Sequence, residues 1–321
     1  MTKMKSVFIF PGQGAQYYQM GKGLFDQEPV FRQTMTRLDA SARRHLGYSA
    51  IDALYDPASP KTRVFDDLPL SSASLFMVEY AIAETLIAAG VKPDLTLGAS
   101  MGTFAAAAVA GCLAPEHALD AICELARLVT SRCQPGAMIA ILADRALLQD
   151  PLLRERCVVA SDNMPNHCIA SLPARHIDAV EATLRTRGIS FQRLPVNYAF
   201  HSPWVDEAEQ ALGAALRALP LRRGAIPVVC CAQAGRLEEM TGDHWWPIVR
   251  QPIRFQETIR RLEMEDQYRY IDAGPSPTMS TFLKYLLPAD AAARLWPTMT
   301  PFGHDVRNLN ALRAAGAALA V

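Results

Sequence analysis

The chain has 321 residues, half of them apolar and a fifth charged, and its 32 basic and 32 acidic side chains cancel. That length and apolar content suit one large domain with an insert, or two domains, around a sizeable core. A zero net charge gives no electrostatic footprint for nucleic acid or an anionic membrane. Seven scattered cysteines without C-x-x-C spacing exclude a disulfide framework or zinc ribbon and point to a reducing cytoplasm.

In chain order, residues 7–10 read as a first buried strand, too short for a signal h-region or a span. No stretch is expected to reach the length of a spanning helix, so neither export nor anchoring is expected. The strand ends in Pro11-Gly12-Gln13-Gly14-Ala15-Gln16, where small, turn-forming residues around Gln13 let backbone approach a ligand. A helix is expected from near Tyr17. Residues 75–89 carry Leu75, Val78, Ala81, Ile82 and Leu86 at helical spacing.

Residues 94–97 read as a short buried strand and 103–110 as a tightly packed small-residue helix. Between them lies Gly98-Ala99-Ser100-Met101-Gly102. Strand, G-x-S-x-G, helix is the context of a nucleophile elbow, in which small neighbours permit a sharp turn and leave the serine oxygen exposed above the sheet. The oxygen then stands at the positive end of a helix.

Residues 118–131 form another expected helix, with Leu119, Ile122, Leu125 and Val129 along one face. The character changes at Gln134-Pro135-Gly136. Strands are expected over 138–142 and 168–172, a helix over 174–187 ended by Gly188, and a strand over 191–196. Strand, strand, helix, strand in so short a span suggests an inserted α/β subdomain of ferredoxin-like type. The large domain resumes after Ser202, with candidate strands over 228–232 and 270–272 and a terminal helix over 312–321. Cys230 and Cys231 fall in an apolar run and read as buried strand residues.

A serine hydroxyl is a poor nucleophile without a base. The histidines are His45, His117, His167, His176, His201, His244 and His304, and composition does not choose among them. His201 ends the expected subdomain, at the mouth between two domains, where sites commonly form.

The 11–16 segment, the serine elbow, Tyr198-Ala199-Phe200-His201 and Asp272-Ala273-Gly274-Pro275-Ser276 occur in the order of the malonyl-CoA:acyl carrier protein transacylase family, which includes polyketide synthase acyltransferase domains. The chain resembles that family over nearly its whole length. The resemblance implies an α/β-hydrolase-like large domain (residues 1–134 and 201–321) with an inserted ferredoxin-like subdomain (135–200). It implies double displacement through an acyl-serine, with Ser100 as nucleophile and His201 as general base and acid. A main-chain carbonyl near Ile248, four residues before Pro252, would orient the histidine. The backbone N–H groups of Met101 and Gln13 would form the oxyanion hole, where losing one donor typically costs about 3 kcal/mol of barrier.

Departures from the family pattern narrow the substrate. Members using malonyl or methylmalonyl units carry an arginine 25 positions beyond the serine, paired with the free carboxylate; that position is Leu125 here. Arg127 lies about 200° further around the helix. A carboxylate buried against leucine lacks its counter-ion, which costs several kcal/mol. Ala99 replaces the usual histidine before the serine, and Ser72 falls near the family's glutamine. Phe200, usual in malonyl-using domains, is expected to shape a short-acyl pocket with Leu125, Ser72 and Val129.

With these departures the chain resembles the stand-alone acyl hydrolases of trans-acyltransferase polyketide synthases. The expected activity is hydrolysis of short, non-carboxylated acyl thioesters on acyl carrier protein. The alternative is an acyltransferase moving an acyl unit between CoA and acyl carrier protein. A third reading, a degenerate docking subunit, is opposed by the intact Ser100, His201 and Gln13. No metal or tightly bound cofactor is expected, since substrates bring phosphopantetheine or CoA. Expected partners are carrier-protein domains of a polyketide synthase and acyl-CoA, with the chain a cytoplasmic monomer. Arg222, Arg223, Arg250, Arg260 and Arg261 are candidates for a basic carrier-protein patch.

Overall fold

The computed structural model describes residues 4–318, folded around two sheets. The strands in chain order are β1 (Lys5–Phe10), β2 (Leu95–Gly98), β3 (Gly136–Ile141), β4 (Val158–Met164), β5 (His167–Pro173), β6 (Phe191–Arg193), β7 (Val228–Cys230), β8 (Gly235–Leu237), β9 (Tyr268–Asp272) and β10 (Leu295–Pro297). The larger sheet has the order β10-β9-β1-β2-β7-β8 and is parallel except for the β7–β8 pair. Its central strand β1 is buried on both faces, as parallel sheets covered by helices require. Phe8 and Phe10 pack into the cluster built largely by the helices Pro29–Leu46, Leu68–Ala88, Gly102–Val109 and Pro115–Arg132. Val7 and Ile9 alternate to the other face and meet Phe255, Ile259, Met279 and Leu283.

Parallel register sets the site. Phe10 lies opposite Gly98, and Ile9 opposite Asp272, so the loops leaving β1, β2 and β9 emerge at one edge. Ligand crevices in open α/β sheets form outside such carboxyl ends.

The smaller sheet is antiparallel throughout, in the order β4-β5-β3-β6. The helix Pro151–Arg154 precedes β4, and the helix Ile177–Thr186 joins β5 to β6. Together they form a ferredoxin-like βαββαβ unit. Ala137, Ile139, Cys168, Ala170 and Leu172 face its own helices, with Leu153, Val180 and Leu184. The opposite face, with Met138, Ala140, Ser161 and Ile169, lies over the carboxyl edge of the large sheet.

Most expected elements are present, with shifted ends. No helix starts at Tyr17: Gln19 and Gly21 both have positive φ, and the helix begins at Lys22. Strand β4 and the helix Pro29–Leu46 stand where the sequence pattern predicts no element. The helix expected over 75–89 starts earlier, and its 21 residues, Leu68–Ala88, have the length and apolarity to cross a bilayer, contrary to expectation. They are buried inside the protein instead, with Ser71, Ser72, Ser74 and Glu79 among the buried positions. The terminal helix is Asp305–Ala318; residues 319–321 of the expected tail lie outside the described residues.

Candidate active site

The turn between β2 and the helix Gly102–Val109 holds Ser100 at φ +54°, a left-handed conformation that a non-glycine residue adopts only under constraint. The constraint comes from its flanks. A Cβ on Gly98 would fall 2.2 Å from Thr103 Cα, and one on Gly102 would fall 2.2 Å from the carbonyl oxygens of Phe10 and Pro11. The spacing of small residues around Ser100 is therefore a steric requirement of the turn.

His201 follows the smaller sheet at φ +59°, with its backbone N–H donating to Val249 O at 3.2 Å. Its Nε2 stands 2.7 Å from Ser100 Oγ, and its Nδ1 stands 2.8 Å from Gln251 O. A carbonyl only accepts, so Nδ1 carries the proton and Nε2 offers its lone pair to the serine hydroxyl. Burial lowers the His201 pKa to about 4, against the opposing pull of the Gln251 carbonyl. The imidazole is neutral at neutral pH.

The orienting carbonyl is thus Gln251, not Ile248. Ile248 lies inside the helix Trp245–Arg250 and is buried, whereas Gln251 caps that helix in extended geometry (φ −80°, ψ 153°), which frees its carbonyl. The following Pro252 carried the signal, because a residue before proline is driven out of the helical region.

Gln13, Met101, Leu125, Phe200 and Ser72 all line one cavity of about 300 Å³ with Ser100 and His201. No protein group accepts from the backbone N–H of Gln13 or Met101 among the described residues. The Gln13 amide donates to Ser72 Oγ at 2.7 Å, tying the loop after β1 to the helix Leu68–Ala88. Val129 does not line the cavity. It sits one turn beyond Leu125 on the same face, fully buried in the main core.

No Lys, Arg, Asp or Glu lines the cavity among the described residues. Arg127 points outward with its side chain 62% exposed, and its Nε and Nη2 bond Glu124 at 2.7 and 2.6 Å. Leu125 occupies the cavity wall with Leu68 and Phe104. Sequence reasoning missed the roof residues Ser161, Asn163, His167 and Gln192, and Thr278 and Phe282 beside them. Of the candidate basic patch, Arg250 pairs with Asp206 and Arg261 with Glu257, and Arg222 donates to Gly111 O.

Asp272, from the fourth motif, takes no part in the Ser100–His201 pair. Its carboxylate accepts from Gly274 N at 3.2 Å and Ser280 N at 2.8 Å, holding the turn after β9. Burial raises its pKa to about 6.

The model of the acyl transferase domain family matches residues 7–319. The polyketide biosynthesis acyltransferase homolog BaeD of Bacillus velezensis is 44% identical over 94% of both chains. The homolog PksD of Bacillus subtilis is 40% identical over 95% of this chain and 94% of its own. Among solved structures, the acyl transferase domain of SpnD in complex with 2-(pent-4-yn-1-yl)malonyl superposes with a TM-score of 0.89, at 30% identity over 99% of this chain and 78% of that one.

Proposed function

The chain belongs to the acyl transferase domain family, and we propose that within it this protein is an acyl-carrier-protein thioester hydrolase of polyketide biosynthesis, acting on short, uncharged acyl groups. Ser100 Oγ attacks the thioester carbonyl while His201 Nε2 takes its proton, a transfer that the 2.7 Å contact supports. The Met101 and Gln13 N–H groups receive the oxyanion. The imidazolium, its Nδ1–H held by the Gln251 carbonyl, returns the proton to the departing thiolate. Water then adds to the acyl-Ser100 carbonyl as Nε2 accepts its proton. Collapse releases the carboxylic acid and reprotonates Ser100.

The observation that carries the substrate class is the cavity wall: Leu125 where a carboxylate anchor would stand, and no cationic side chain in the lining among the described residues. Carrier protein loaded with acetyl or malonyl, each incubated with the enzyme and weighed by mass spectrometry, tests it. Acetyl is expected to be released far faster, and equal turnover would refute the selectivity.

Transfer to a thiol is the second reading, favoured by the family itself and by relatives named acyltransferase homologs. Water and thiol compete for the same acyl-Ser100. An acyl-enzyme that persists in buffer and empties only on adding carrier thiol would decide for transfer. Both readings need no resident cofactor, since the substrate brings its own phosphopantetheine. A cytoplasmic monomer docking acidic carrier domains fits either.

A further inference from the structure

We propose that His167 binds the pantetheine arm of the substrate, its Nε2–H donating to an amide carbonyl of the arm. The inference rests on the thioester reading above and adds a recognition residue to it.

Period-two alternation makes the smaller sheet two-sided. On β5, Cys168 and Ala170 enter the subdomain's own core, while His167 and Ile169 turn to the cavity; on β4 the cavity-facing positions are Ser161 and Asn163. Polar groups on a buried sheet face have no packing rationale. They are also ordered. Ser161 Oγ donates to Asn163 Oδ1, which directs the buried Asn163 amide N–H at His167 Nδ1, 3.2 Å away. With Nδ1 accepting, the ring proton resides on Nε2. Burial lowers the His167 pKa, so the ring is neutral and donates once. Its face is steadied by Phe282, with ring centroids 5.0 Å apart.

The two walls of the cavity differ in chemistry. Leu68, Phe104 and Leu125 come from the helical layer and suit an acyl chain. His167 comes from the roof and packs on Phe282, which belongs with the cluster on the opposite face of the large sheet from that helical layer. A thioester held at Ser100 with its acyl group toward Leu125 sends its thiol arm the other way. That arm carries amide carbonyls that give up hydrogen bonds to water on entering the cleft, and an oriented N–H donor replaces one of them.

The test compares two acetyl thioesters, one of pantetheine and one of ethanethiol, which has no amide. His167→Leu is expected to lower kcat/KM for acetyl-pantetheine about three- to tenfold, the worth of one net hydrogen bond, chiefly through KM. Turnover of the ethyl thioester should not change. His167→Gln, which places an amide N–H near the old Nε2, should restore most of the loss. Equal losses on both thioesters, or no loss on either, overturn the proposal while leaving the hydrolase intact. If the wild-type protein opens neither thioester, the parent reading falls and this one with it.

Discussion

Replacing Leu125 with arginine tests the substrate class at its source. Leu125 is 5% exposed and lines the cavity that holds Ser100. A malonyl group bound there buries a carboxylate with no partner, since Arg127 is committed to Glu124 on the solvent side. Leaving one member of a buried ion pair alone costs about 3–5 kcal/mol. At about 1.4 kcal/mol per factor of ten, the wild-type preference for acetyl over malonyl in kcat/KM should be about 100-fold or more. Leu125→Arg restores a counter-ion, so the ratio should fall at least about tenfold, with acetyl turnover dropping because a guanidinium now sits unpaired in its pocket. The assay is competition: equal acetyl- and malonyl-carrier protein in one tube, with depletion of each followed by mass. Arg127→Leu is the control and should leave the ratio unchanged. Malonyl turnover matching acetyl in the wild type, or malonyl activity that vanishes in Arg127→Leu, would refute the reasoning.

The acid limb of kcat/KM should lie near about 4, where burial places the His201 pKa, rather than near about 6.5 for an ordinary histidine. Rates taken within seconds of a pH jump check this, and a limb near 6.5 would mean that the imidazole is solvated. Glu79 is 1% exposed, and neither carboxyl oxygen has a hydrogen-bond partner. Burial, and then the nearby Asp272 carboxylate, raise its folded-state pKa well above the ordinary carboxylate range, so its stability contribution is intact at pH below that ordinary range and is lost as pH rises from it through the raised value. Glu79→Leu should therefore stabilise the protein by about 1–3 kcal/mol, read as a higher melting temperature with a larger gain at pH 8 than at pH 5; a variant less stable at both would refute it. Gly102→Ala drives a methyl into the Phe10 and Pro11 carbonyls and should destroy the turn, read as lost soluble yield or lost acylation of Ser100.

Legibility in the sequence followed physical simplicity. The elbow was readable because its glycines answer a local steric demand. His201 was readable only in part, since its partner is a hundred residues away in sequence: its place at the end of the inserted subdomain made it a candidate, and the order of motifs singled it out. Leu125 and Val129 share a helix face by period, but period does not say which turn of that face meets a cavity and which meets the core. Strand β4 is not legible in the sequence because Ser161, Asp162 and Asn163 interrupt its apolar run. Ser161 and Asn163 break the strand pattern because their face looks into the cavity, while Asp162 turns the other way toward Arg145 and Gln256. The length of the helix Leu68–Ala88 was masked in the same way by serines, one of which, Ser72, bonds Gln13 in the cavity that holds Ser100.

The base and the roof are held by one strip of chain. Gln251 O fixes the His201 Nδ1–H, and two residues later Ile253 pairs with β4: Ile253 N donates to Ala160 O at 2.9 Å, and Asp162 N donates to Ile253 O at 2.9 Å. His201 itself follows directly from the smaller sheet, where Pro135 bridges Tyr198. The imidazole therefore depends on the smaller domain for its placement on both sides, through its own backbone and through its acceptor. With no carboxylate to draw the ring into place, alignment with Ser100 comes from backbone packing alone. A shift of the roof would therefore move the cavity-facing residues of β4 and β5 and the His201 acceptor together.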